Sequence, residues 1–370
     1  MSPSQSSPDA SNSESTGQAP ANSLGQAAGR LGMDFGTAVE PWHLDDPDLE
    51  PIMRAEFSVI EAENSMKFGP IHPREGAALE AFDFEGPDRL ANFARNNGMK
   101  LRGHTLVWHQ QNPAWLTTGR LTAEQLAKTM EEHIEVVAGR FRDTIYAWDV
   151  VNEAFNDDGT MRSTIWYDQP GIGMAGQGTA YLERAFRLAR QADPKALLFY
   201  NDYDAEMLGA KSDAIYAMCR DFRDRGIPLD GIGFQGHLIM QMNTGEALDS
   251  VQANFERFAN LGLVIHVTEL DIRLSSGTPE AFAEQADFYR KFVELCRRQD
   301  AVKLIQMWGI SDRDSWIPGW FEGFGWPLLW DSKMKKKPAY FAVLEALRST
   351  LSSAPSSRGR SDAGSTADSA

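Results

Sequence analysis

Eight short runs suited to buried strands alternate along this chain with longer segments of helical period, and no other feature limits the fold as much. The runs fall at 33–37, 57–61, 100–107, 144–152, 196–202, 231–236, 263–269 and 303–310, and most are rich in the β-branched and aromatic side chains that fill a pleated interior. The helices between them carry start and stop signals. Thr122 with Gln125 three places on makes a capping box ahead of Leu126, Met130, Ile134, Val137 and Phe141. Thr278 followed by Pro279 opens another helix, and Asp193-Pro194 closes the one carrying Leu182, Ala185, Phe186 and Ala189. Strand and helix alternating eight times over about 330 residues predicts an α/β fold, a single closed (β/α)8 barrel of parallel strands ringed by helices. The rival, an open doubly wound sheet, calls for a glycine-rich dinucleotide turn after the first strand, and none follows it.

The chain has 370 residues, 42% hydrophobic and 24% charged, enough for one barrel-sized core. Residues 1–22 and 352–370 are dominated by small and polar side chains that cannot offset their ordering entropy. They are expected to be disordered tails on a folded unit at 23–351. The formal net charge of −16 repels a phosphate backbone, so nucleic acid is not an expected partner. The lysines between Lys333 and Lys337 read as a solvated loop. No apolar run approaches the ~20 residues of a membrane span, so no membrane partner is expected. The first thirty residues also lack the apolar middle of a secretory signal. Cys219 and Cys296 each fall on an apolar helical stripe and read as two free core thiols.

Polar and aromatic residues gather where a parallel barrel keeps its chemistry, at the carboxyl ends of the strands. The run through Trp148, Val150 and Val151 stops on Asn152-Glu153, and the run from Leu263 to Val267 leads into Glu269 and Asp271. The other runs end near Glu63, Asn64 and Lys67, near His104 and Trp108, near Asn201, Asp202 and Tyr203, near Gln235 and His237, and near Trp308 and Asp312. Two carboxylates among amides, imidazoles and indoles suit glycoside hydrolysis. One acid protonates the leaving oxygen while the other attacks the anomeric carbon or activates water. Indole faces seat sugar rings, and the polar side chains fix their hydroxyls.

Seven segments carry a resemblance to a known family: Glu63-Asn64-Ser65-Met66-Lys67, Arg102 through His109, Trp148 through Glu153, Asn201-Asp202-Tyr203, Asp230 through His237, Thr268 through Asp271 and Trp308 through Asp312. Their order and spacing resemble glycoside hydrolase family 10, the retaining endo-β-1,4-xylanases, which fold as TIM barrels. The resemblance implies Glu153 as general acid/base and Glu269 as nucleophile. It implies Asn152 on the 2-hydroxyl of the attacked sugar and His237 against the nucleophile, with Asp271 supporting it. Glu63, Asn64, Lys67, His104, Trp108 and Gln235 match glycone contacts, Trp308 and Trp316 the indoles that close over the attacked sugar, and Tyr203 an aglycone contact. The implied substrates are xylan and xylo-oligosaccharides, cleaved by a monomer without metal or cofactor. Xylan lies outside cells, which favours a secreted or periplasmic enzyme although no export signal is legible.

Some residues keep other readings. His104 and His109 could be metal ligands, but the motif's strand-end setting favours sugar contact. Trp148, in mid-strand, reads as core, and Asp149 and Asp202 as structural or supporting groups. Departures from the family pattern fall at Asp204, at Ile317-Pro318, at 171–178 and at Gly319-Trp320-Phe321, all on the expected rim. A β-1,4-glucan hydrolase or an enzyme limited to short oligosaccharides, and a non-catalytic sugar-binding barrel, remain as rival functions.

Overall fold

The computed structural model describes residues 23–350. The two expected tails, and the last residue of the expected folded unit, lie outside the described residues. Nine parallel-paired strands occur among the described residues: β1 Asp34–Val39, β2 Val59–Ala62, β3 Lys100–Gly103, β4 Ile145–Asn152, β5 Leu197–Asp202, β6 Gly231–Phe234, β7 His237–Ile239, β8 Val264–Arg273 and β9 Val302–Met307. Strands β1 to β6 pair in succession, β1 pairs with β9, β9 with β8, and β8 returns to β6, so eight strands close a ring. The barrel read from the sequence is the one that forms.

Helices that include Ala123–Arg140, Ala180–Ala192 and Pro279–Arg297 cover the ring. Thr122 and Gln125 form the reciprocal cap, Thr278 accepts from Ala281 N–H ahead of Pro279, and the helix before Asp193-Pro194 stops at Ala192. Trp148 is fully buried, and both cysteines are free and buried, as their stripes imply. No helix among the described residues is long and apolar enough to cross a membrane.

Several strand ends differ from the sequence reading: β1 runs on to Val39, β9 stops at Met307 short of Ile310, and three others differ through pairing that one strand's sequence does not display. The third ladder stops at Gly103. A cis peptide follows between His104 and Thr105, after which Leu106 and Val107 bond β4 again. The sixth ends at Phe234, and β7 begins three residues on, at His237, against the far end of β8. That partner carries β8 on to Arg273, beyond the expected Glu269. The lysine run is also only partly solvated: Lys336 meets Glu56 at 2.7 Å, and Lys337 is buried against Asp312 at 2.9 Å. Buried acids on neighbouring elements draw these two lysines in.

The barrel interior is polar below its carboxyl end. Arg102 is fully buried between Asp149 and Glu61, bonding the latter at 2.6 Å, and Asp149 also holds His104 Nδ1 at 2.9 Å. Glu61, His104 and Asp149 offer donor atoms close enough together to hold a cation. The Arg102 guanidinium already fills that role.

Candidate active site

Glu153 directly follows β4 in a left-handed conformation, φ +57°, which costs a residue other than glycine about 1 kcal/mol or more. The turn is held from both sides. Glu153 N–H donates to Asn201 O at 2.9 Å, and Arg162 Nε donates to Glu153 O at 2.9 Å. The result aims the carboxylate across the barrel mouth, where Trp108 Nε1 donates to Oε2 at 2.8 Å and Gln235 Nε2 to Oε1 at 2.9 Å. Asn152 Nδ2 donates to the same Oε1 at 3.3 Å.

Glu269 lies within β8 and is buried. Its Oε1 accepts from Asn201 Nδ2 at 2.8 Å, and its Oε2 lies 3.1 Å from His237 Nε2. Asn201 Nδ2 also reaches Asn152 Oδ1 at 2.9 Å, and Gln235 Nε2 reaches that oxygen at 3.4 Å, so amides bridge the two acids. Gly233 makes this bridge possible. A β-carbon there would fall 2.2 Å from Asn201 Oδ1, so only glycine leaves room for the amide.

His237 Nδ1 sits 2.9 Å from Asp271 Oδ2, which also accepts from Trp316 Nε1 at 2.9 Å. Burial opposes a charge on His237, yet Asp271 and Glu269 outweigh it and push the imidazole up to about 10. This pairing stabilises the fold fully below the ordinary value of 6.5 and is lost as pH rises through about 10. Burial likewise pushes Glu269 up, but the His237 bond and the nearby imidazoles prevail and hold it below the usual carboxylate value.

Lys67 forms a second positive centre. Its Nζ bonds Asn64 Oδ1 at 2.9 Å and stands 4.9 Å from the Trp108 ring and 5.7 Å from the Trp308 ring. Burial lowers its pKa despite the attraction of Glu269, Glu63 and Glu153. Glu63 is pushed up to about 7, first by burial and then by Glu40. His104 packs edge-on to Trp308 at 5.4 Å, and Trp316 packs on His237 at 4.9 Å. Tyr203 lies apart from this group, where its hydroxyl accepts from Arg162 Nη2 at 2.8 Å and Lys211 Nζ sits 3.4 Å from its ring centre.

The fourteen residues singled out from sequence thus gather around one cleft, with Tyr203 joined to it through Arg162. Two participants were not assigned from sequence. Asn201 sits in a quoted motif, yet its bridging place depends on a neighbouring glycine. Arg162 lies on a loop that folds back, and nothing local marks it.

A closed β/α barrel whose carboxyl-end cleft pairs two acids with different donors, among indoles and amides, defines a barrel glycoside hydrolase. The family model described as glycosyl hydrolase family 10 matches residues 23–346. The chain belongs to that family. It is 40% identical over 315 residues to endo-1,4-beta-xylanase B of Thermotoga neapolitana, covering 84% of this chain and 86% of that one. It is 38% identical to an endo-1,4-beta-xylanase of Agaricus bisporus, covering 89% and 95%. Among solved structures, native xylanase 10B from Thermotoga maritima superposes with a TM-score of 0.82 at 40% identity, over 88% of this chain and 98% of that chain. Xylanase 10B from Thermotoga petrophila RKU-1, in complex with xylobiose, gives 0.82 at 39%, over 90% and 98%.

Proposed function

We propose that this enzyme hydrolyses internal β-1,4-xylosidic bonds of xylan and xylo-oligosaccharides with retention of configuration, Glu269 being the nucleophile and Glu153 the acid/base. The observation that carries the reading is the pairing of Glu269 with a charged His237 while the Glu153 carboxylate accepts from the neutral Trp108, Gln235 and Asn152. A nucleophile must be ionised, and an imidazolium beside it keeps it so.

In the first step a Glu269 oxygen attacks the anomeric carbon, the glycosidic C–O bond breaks, and Glu153 gives its proton to the departing oxygen. In the second, Glu153 takes a proton from water as the water oxygen displaces Glu269. Asn152 is placed to bond the 2-hydroxyl, where contact strengthens in the transition state. Trp308 and Trp316 both pack on His237, with ring centres at 6.3 and 4.9 Å, and indoles so placed would crowd a hexose hydroxymethyl group. That crowding supports xylan over β-1,4-glucan.

Proton NMR of xylohexaose cleavage tests the stereochemistry. The β-anomer is expected first, with the α form appearing only by mutarotation, and an α product at the outset contradicts the mechanism. Carboxymethylcellulose should be cleaved far more slowly than xylan.

Two variants separate the roles. Glu153→Ala is expected to lower kcat on xylan by about 10²–10⁴, with much less loss on an aryl xylobioside whose leaving group needs no proton. Equal losses on both substrates would remove Glu153 from the acid role. His237→Asn takes away the bond that keeps Glu269 acidic, so the acid limb of the kcat/KM profile is expected to move to higher pH. An unmoved limb, measured with the same substrate, would mean that His237 does not set the ionisation of Glu269.

A further inference from the structure

Three of the eight exposed large hydrophobics among the described residues, Trp320, Phe324 and Trp326, fall on one loop after β9. Phe324 and Trp326 line a cavity of about 690 Å³ together with Gly277, Pro318, Asp331 and Lys335. This is a size typical of ligand sites, and the cavity contains none of the residues of the catalytic cleft.

Trp326 is a fixed surface. Its carbonyl accepts from Gln285 Nε2 at 2.6 Å and from Lys337 Nζ at 2.7 Å. Its indole lies against Gly277, where a β-carbon would fall 2.9 Å from Cε2. A ring held in this way loses little entropy when something stacks on it. The lining mixes the flat apolar faces with two carboxylates, Asp312 and Asp331, and three ammonium groups, Lys335 to Lys337, which suits the C–H faces and hydroxyls of sugar rings better than a lipid chain.

The same loop connects the cavity with the cleft. Trp316, packed on His237, has Trp320 at 6.2 Å and Phe321 at 5.5 Å. Arg273 lies over Phe321 at 4.0 Å and Phe324 at 5.9 Å, and Pro318 of the intervening turn lines the cavity. An occupant of the cavity is therefore held beside the cleft.

We propose that this cavity is a second, non-catalytic binding site for a β-1,4-linked xylan segment, with Trp326 as its stacking platform. The proposal rests on the xylan reading of the cleft. Its role is to retain the polymer while the cleft cuts.

The test compares the full chain with Trp326→Ala and, as a conservative control for folding, Trp326→Phe. In native gels containing soluble arabinoxylan, Trp326→Ala is expected to bind the polymer about three- to tenfold more weakly. It should release sugar more slowly from insoluble xylan while keeping wild-type kcat/KM on xylohexaose. Trp326→Phe should lie between. Wild-type retardation in Trp326→Ala overturns the site, as does an equal loss on xylohexaose and on polymer. A wild-type enzyme that leaves xylohexaose uncut sinks the reading of the cleft instead, and gel retardation still decides whether the cavity binds polymer.

Discussion

Glu269→Ala is expected to lower turnover of xylohexaose by roughly 10⁵-fold, because a displaced nucleophile cannot be replaced by water held at ordinary distance. The fold should survive. His237 keeps Asp271 as a partner, and Asn201 keeps its bonds to Asn152 and, through its carbonyl oxygen, to Thr268. Thermal unfolding near that of the wild type would show that the loss is chemical. Added azide then distinguishes the two acids. In Glu269→Ala a small anion can enter the vacated space and attack an aryl xylobioside directly, giving the α-azide. In Glu153→Ala the covalent intermediate still forms, and azide attacking it gives the β-azide. Turnover of Glu269→Ala within tenfold of wild type, or a β-azide from it, would end its assignment as nucleophile.

What could be read beforehand follows from which forces are local. Thr122 and Gln125 cap their helix with groups three residues apart, so sequence was enough. The strands were visible as buried runs, but their ends were not: β8 continues past Glu269 because β7, a separate segment, pairs with Asp271 to Arg273 side by side with its own residues. The cleft residues were legible because a parallel barrel gathers strand ends, so Glu153 and Glu269 needed only the right fold to meet. Arg162 and the bridge through Asn201 depend on a returning loop and on the empty side of Gly233. Lys336 and Lys337 read as solvated because Glu56 and Asp312, their partners, are distant in sequence.

Arg102→Ala is expected to destabilise the fold by about 3–5 kcal/mol at neutral pH, a fall in Tm of roughly 4–7 °C for a domain of this size. The wild-type guanidinium bonds Asp149 through two nitrogens and Glu61 through one, with all three side chains fully buried. Burial pushes both acids up. At Asp149, Arg102 and His104 more than reverse the effect, whereas Glu61 stays raised despite the same guanidinium. In the wild type the Asp149 contribution is present above its ordinary value of 3.8 and is lost as pH falls through its lower folded value. Without Arg102, burial and the charge of Asp149 beside Glu61 are opposed chiefly by His104, so both acids take up protons more readily in the folded variant. Its deficit against wild type should therefore shrink as pH falls from 7 toward 4.5, as urea unfolding at the two values can measure. A deficit below about 1 kcal/mol, equal at both pH values, would reduce Arg102 to a space-filling role. The effect should also reach the cleft: Asp149 holds His104, and His104 packs edge-on to Trp308. A loosened Asp149 frees that imidazole, so KM for xylohexaose should rise in the variant even at temperatures where it remains folded.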